Sequence, residues 1–145
     1  MIMLNPYLHF DGNAEAAFEF YRSAFGGEFQ MIQRYSETPE ADKVAEKDKD
    51  KIMHIALRIG DNILMATDAI EGMGDKLKVG NNFHLSIGVS SKKEADRLYK
   101  ALSTGGQEDL PMSPSFWGSY FGMLTDRFGI RWMISFDEEQ QSNIM

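Results

Sequence analysis

The residues best suited to chemistry in this 145-residue chain are its three histidines, His9, His54 and His84, together with Arg58, Arg131 and Asp68. Histidine is the commonest metal ligand and the side chain that titrates nearest neutral pH. Three of them on one surface therefore fit either metal ligation or hydrogen bonding to a bound small molecule. A lone histidine is ordinarily a satisfied, half-buried side chain, so convergence is what gives these three weight. Arginine's planar fork suits carboxylate or phosphonate groups, whereas an arginine that points outward is merely solvated. The chain has no cysteine, which excludes disulfides, thiolate metal sites and cysteine nucleophiles.

Side chains alternate across a strand, and this alternation predicts which face each candidate occupies. Over 52–59 the apolar row Met53, Ile55, Leu57 and Ile59 leaves His54, Ala56 and Arg58 on the other side. Over 83–89, Phe83, Leu85, Ile87 and Val89 leave His84, Ser86 and Gly88, and in the first strand Leu8 and Phe10 leave Tyr7 and His9. Over 130–136, Ile130, Trp132, Ile134 and Phe136 face a helix, which assigns Trp132 to the core and leaves Arg131, Met133 and Ser135 opposite. All three histidines thus turn away from the helices.

The elements that position them form one unit written twice. A strand at 6–10 runs to Asn13, an expected N-cap. The stripe Ala17, Phe18, Tyr21, Ala24 and Phe25 follows at helical spacing and ends at Gly26-Gly27. Strands are expected at 28–36, 52–59 and 62–68, the last two joined by Gly60-Asp61. The second half repeats this with a strand at 83–89 and the capping box Ser91-Lys92-Lys93-Glu94. Ala95, Leu98, Tyr99 and Leu102 form its apolar stripe, and Gly105-Gly106 its stop. Strands at 112–117, 121–126 and 130–136 complete it, the last entered by the turn Asp126 to Gly129. The predicted class is α+β: a single domain over 1–145 made of two βαβββ modules, about 4–70 and about 81–137, whose curved sheets enclose a cleft.

Composition narrows the partners. A net charge of -7 and a pI near 4.9 work against nucleic acid, which needs clustered Lys and Arg. The densest charged stretch, Glu37 to Lys51, mixes both signs without apolar period and reads as a solvated connector. No apolar run has the length of a membrane span and the start lacks a secretion signal, so a soluble, cytoplasmic protein is expected.

The stretches NPYLHFDGNAEAAFEFYRSAFGGEF, IMHIALRIGDNILMATD and FWGSYFGMLTDRFGIRWMIS resemble the PhnB-like branch of the glyoxalase, bleomycin-resistance and vicinal-oxygen-chelate superfamily over nearly the whole chain. The resemblance implies paired βαβββ modules, a homodimer and, in metal-using members, ligands from the first and last strand of each module ending in a Glu. In the matching stretch Asp126 to Met133 that carboxylate is replaced by Met133, whose thioether suits Zn²⁺, Mn²⁺ or Ni²⁺ poorly in an oxygen and nitrogen site. His84 keeps the second-module ligand slot, His9 or Tyr7 serves the first, and Asp68 is the candidate substitute acid. His54 matches the PhnB-like pattern without a metal slot. Some members carry a ubiquinone-pathway methyltransferase label, but nothing here resembles the glycine-rich loop of a dinucleotide-type nucleotide site.

Two readings follow, with a third from another class. In the first, a small polar molecule binds in the cleft against His9, His54, Arg58, His84, Trp117, Arg131 and Met133, without a cofactor. The segment Ser115 to Phe121 then either closes over the ligand as a lid or packs as a twisted strand. In the second, His9, Asp68 and His84 hold a divalent ion (Zn, Ni, Mn or Mg) in a lyase, isomerase or thiol transferase of glyoxalase type. The third is an interaction module whose cleft is filled by protein side chains.

Overall fold

Each half of the computed structural model, which describes residues 1–72, 74 and 76–137, is built on one four-stranded mixed sheet with one long helix. The two halves are separate compact units, Met1–Lys78 and one that begins at Val79. Both show the predicted βαβββ order, so the α+β class and the repeat read from the sequence are present in the structure.

In the first unit β1 (Tyr7–Phe10), α1 (Ala14–Phe25), β2 (Phe29–Arg34), β3 (Ile52–Ile59) and β4 (Asn62–Asp68) form a sheet of order β1-β4-β3-β2. The β1–β4 pair is parallel and the others antiparallel. Register puts Leu8 beside Ala66, Ala66 beside Ile55, and Leu64 beside Leu57 on one face, all buried. The buried stripe of α1, Ala17, Phe18, Tyr21 and Ala24, packs on that face, where Phe10 and Phe18 meet edge-on at 6.3 Å. Each large side chain removed from water there contributes roughly 1.5–3 kcal/mol.

Asn13 does not cap α1 with its side chain. The cap comes from the end of the neighbouring strand β4. Asp68, 1% exposed, accepts from the amides of Gly12 (3.1 Å) and Ala14 (2.9 Å) through Oδ1, and from Ile52 (2.8 Å) through Oδ2. A carboxylate at a helix N-terminus also meets the positive end of the helix dipole.

The connector Glu37 to Lys51 is more ordered than its mixed charge suggests. It folds as short 3₁₀ turns, and Val44 joins Tyr35 and Ile70 in a small buried cluster with Met53 against it. Asp48 is 1% exposed and paired with the Lys51 ammonium at 2.8 Å. Most of the segment is exposed, as expected of a solvated connector, and the departure is confined to buried Val44 and Asp48. Three apolar residues give it a core of its own, and the hydroxyl of Tyr35 donates to the carbonyl of Asp68 at 2.8 Å.

In the second unit β5 (Leu85–Gly88), α2 (Lys92–Ser103), β6 (Gln107–Pro114), β7 (Tyr120–Thr125) and β8 (Arg131–Phe136) form a sheet of order β5-β8-β7-β6. Ser91 caps α2 as expected, its Oγ accepting from the Glu94 amide at 3.0 Å, while the Glu94 carboxylate turns to Arg97. Ala95, Leu98, Tyr99 and Leu102 are buried with Leu124, Trp132 and Ile134. A Cβ at Gly122 would lie 2.8 Å from the carbonyl of Leu110, so β6 and β7 pack this closely only around a glycine. The Tyr99 hydroxyl reaches the carbonyls of Leu110 (3.1 Å) and Met123 (3.0 Å), and its burial pushes the phenol up to about 12. Trp132 is core, as predicted, with its Nε1 donating to buried Asp126 at 2.9 Å.

Several strand ends shift by a residue or two, and two shifts move candidate residues. Phe83 lies before β5 and is 59% exposed, so it is no part of the buried row. The strand expected at 112–117 runs instead over Gln107–Pro114, which leaves Trp117 in the hairpin loop. Among the described residues no helix is long and apolar enough to cross a membrane.

Replacing Asp68 by Ala strands three amides at the junction of α1, β3 and β4. Urea unfolding should show a loss of about 3–5 kcal/mol, and a loss under ~1 kcal/mol would contradict this role.

Candidate functional site

The face of the first sheet opposite α1 carries the densest group of polar rings. Register sets Tyr7 beside Met65, His9 beside Thr67, His54 beside Gln33, and Ala56 beside both Met31 and Met65. The Tyr7 ring stands between the two histidines, with centroids 5.7 Å from His9 and 5.7 Å from His54. Its hydroxyl lies 3.3 Å from His54 Nδ1. Partial burial, and next the nearby Tyr35, raise the Tyr7 phenol above its ordinary value while Thr67 opposes them, which keeps it protonated near neutral pH. Tyr7 stands in the sequence reading only as an alternative to His9; its parity with His9 on β1 is the signal that places it at the centre.

Other candidates of this half lie elsewhere. Arg58 is on the same strand face, but its Nε donates to the carbonyl of Gly60 at 3.2 Å and holds the guanidinium at the β3–β4 turn. Asp68 belongs to the opposite, helix-covered row beside Phe10, with both carboxylate oxygens engaged by backbone amides. It is therefore withdrawn as a metal candidate. The sequence reading placed it by its position at a strand end and gave no weight to its parity with Leu64 and Ala66.

In the second unit Met133 pairs with Ser86 and Met123 on the face away from α2, and His84 precedes this row by one alternation. The Nε2 of His84 is buried and has no hydrogen-bond partner among the described residues. Burial first, and the Arg131 charge second, push the His84 imidazole below its ordinary pKa against an opposing effect of Asp109, so a neutral ring is favoured. Arg131 donates through Nη1 to the carbonyl of Asn81. Trp117 sits at the β6–β7 hairpin tip, which is closed by Ser115 and Ser119, each meeting the other through backbone and hydroxyl groups. Phe116 is 98% and Trp117 56% exposed, and the Trp117 ring lies 5.1 Å from that of Phe121. Phe116 and Trp117 are thus outside the strand core, whereas Tyr120 and Phe121 at the end of the segment enter β7.

Among the described residues no three His, Asp or Glu side chains gather into a metal-binding group. With Asp68 withdrawn and a thioether at Met133, neither unit by itself supplies the expected ligand set.

A profile of the family described as 3-demethylubiquinone-9 3-methyltransferase matches residues 3–135. The chain belongs to this family. It is 27% identical to the protein YjdN of Escherichia coli strain K12, over 94% of this chain and 97% of that protein. The crystal structure of PA1353 from Pseudomonas aeruginosa is similar at 38% identity and TM-score 0.85, over 94% of this chain and 98% of that one. A putative 3-demethylubiquinone-9 3-methyltransferase, PhnB protein, from Bacillus cereus matches at 22% identity and TM-score 0.73, over 93% of this chain and 99% of that one. A glyoxalase-related enzyme from Fulvimarina pelagi shares the fold at TM-score 0.65 and 18% identity, over 94% of this chain and 89% of that one. The PhnB-like resemblance and the glyoxalase-type fold expected from the motifs are therefore shown for this 3-demethylubiquinone-9 3-methyltransferase family member.

A folded-state pKa below the unfolded value makes the unfolded chain bind the extra proton. The contribution of neutral His84 is thus complete above its ordinary pKa of about 6.5 and is lost as pH falls through the depressed value. Between about pH 7.5 and 5, wild type should lose more stability than His84→Gln. Parallel curves for the two would rule out a buried neutral imidazole.

Proposed function

We propose that the chain binds a small polar molecule on a helix-free sheet face, with Tyr7, His9 and His54 as the contacts offered by the first unit and His84, Met133 and Trp117 as those offered by the second. The observation that carries this reading is the Tyr7–His9–His54 group. Three rings with hydrogen-bonding edges stand together on a strand face whose exposed members, Tyr7 and His9, have no helix of their own unit above them. The unsatisfied Nε2 of His84 supports it, since an unpaired buried polar atom costs ~1–3 kcal/mol that a hydrogen-bonding group of a ligand offsets. Arg58 and Arg131 have subordinate places in this reading because backbone carbonyls hold both guanidiniums. The activity in the family's name is not carried over. Both sheets are mixed and four-stranded, unlike the parallel sheet with a glycine-rich turn that serves a dinucleotide-type site.

One observation favours a second reading, a divalent-metal lyase, isomerase or thiol transferase: the neutral, unpaired His84 nitrogen has the character of a ligand atom. Thermal unfolding of chelator-treated protein separates the two. A ligand at a hundredfold its dissociation constant adds about 2.7 kcal/mol, a rise of roughly 5–10 °C for a chain of this size. The first reading expects such a rise from a small organic molecule without added metal, lost in His54→Gln for the face of the first unit or reduced in Trp117→Ala for that of the second. A rise with Zn²⁺, Ni²⁺, Mn²⁺ or Mg²⁺ that disappears in His84→Ala would put the second reading in its place. The homodimer implied by the family belongs to the same proposal, and light scattering should then give twice the chain mass of 16.5 kDa.

A further inference from the structure

We infer that the helix-free face of the first sheet selects a flat aromatic or conjugated carbonyl compound over a small aliphatic anion. This rests on the binding reading above and narrows it to a ligand class. Gln33 and the Tyr7 hydroxyl stand beside His54, and one alternation along β3 the same face becomes apolar and polarisable. Met31 and Met65 flank buried Ala56 across the sheet, and the Tyr7 ring stands beside Met65. Tyr7 is 43% and Met31 49% exposed, so both offer surface to a ring. Thioether sulfur and a phenol face make favourable contacts with aromatic rings and give a carboxylate nothing to bind.

The cations that would favour an anion are held elsewhere. Arg58 is fixed on Gly60, and Arg34 on β2 turns to the helix side, where it grips both oxygens of Glu15 at 3.1 and 2.7 Å. What remains is a directional donor. The Tyr7 hydroxyl and His54 Nδ1 lie 3.3 Å apart, and the tautomer we assign, with the His54 proton on Nε2, lets Tyr7 donate to Nδ1 and turns the Nε2–H toward an acceptor. One acceptor oxygen on a flat ring, laid along Tyr7, Met65 and Met31, uses every one of these features.

Methyl-¹³C methionine spectra of the full chain, with Met31 and Met65 assigned by Met→Leu variants, test this directly. The probes are acetophenone, a flat aryl ketone, and phosphonoacetate, an aliphatic anion. The expected result is saturable movement of the Met31 and Met65 methyl signals by acetophenone alone, weakened about tenfold in His54→Gln by the loss of one hydrogen bond. Tyr7→Phe serves as the second variant if His54→Gln alters the spectrum of the free protein. Movement by phosphonoacetate but not acetophenone would overturn the ligand class and leave the binding face standing. If neither probe moves these signals, the class is overturned. If in addition the thermal screen finds no organic ligand, the binding reading falls with it.

Discussion

The carboxylate of Asp68 is the contact on which the first unit depends. It stands where β4 ends, beside Phe10 of β1, and its two oxygens hold the amides that open α1 and β3. One buried charge thereby fixes where the helix starts, how β1 meets β4 and where β3 enters the sheet. Removed from water, it remains tolerable because three donors surround it, and the same low dielectric strengthens those bonds. Asp126 does comparable work in the second unit through the amides of Phe128 and Ile130 and the Trp132 indole, so each half anchors its core with a buried acid.

The division of each sheet into two faces explains what the sequence revealed. Strand alternation is a local rule, and it correctly set Trp132 inward and the histidines of β1 and β3 away from α1. Ser91 was legible as a cap because its partner amide lies three residues on. Asn13 was not, because its role passed to a carboxylate more than fifty residues away, a competition invisible without the sheet register. The same register would have placed Asp68 in the helix-covered row.

The remaining departures have physical causes of the same kind. Arg58 and Arg131 have long side chains that reach carbonyls at neighbouring turns, so the parity of their Cβ atoms does not decide where the charge goes. The charged connector between β2 and β3 gains order from Tyr35, Val44 and Ile70, residues separated in sequence that meet only once the sheet has formed. Trp117 escaped a strand because Ser115 and Ser119 close the hairpin ahead of it, with Gly118 supplying a positive φ of 92°.

The geometry of Tyr7 and His54 turns a patch of sheet into a surface with a directional hydrogen-bonding edge, whose tautomer decides what it binds. A long-range ¹H–¹⁵N spectrum of the histidine rings at about pH 8, above the ordinary imidazole pKa, reads it directly. The account predicts an unprotonated Nδ1 and a protonated Nε2 for His54, with the preference lost in Tyr7→Phe. A His54 ring protonated at Nδ1 in the wild-type protein would contradict it.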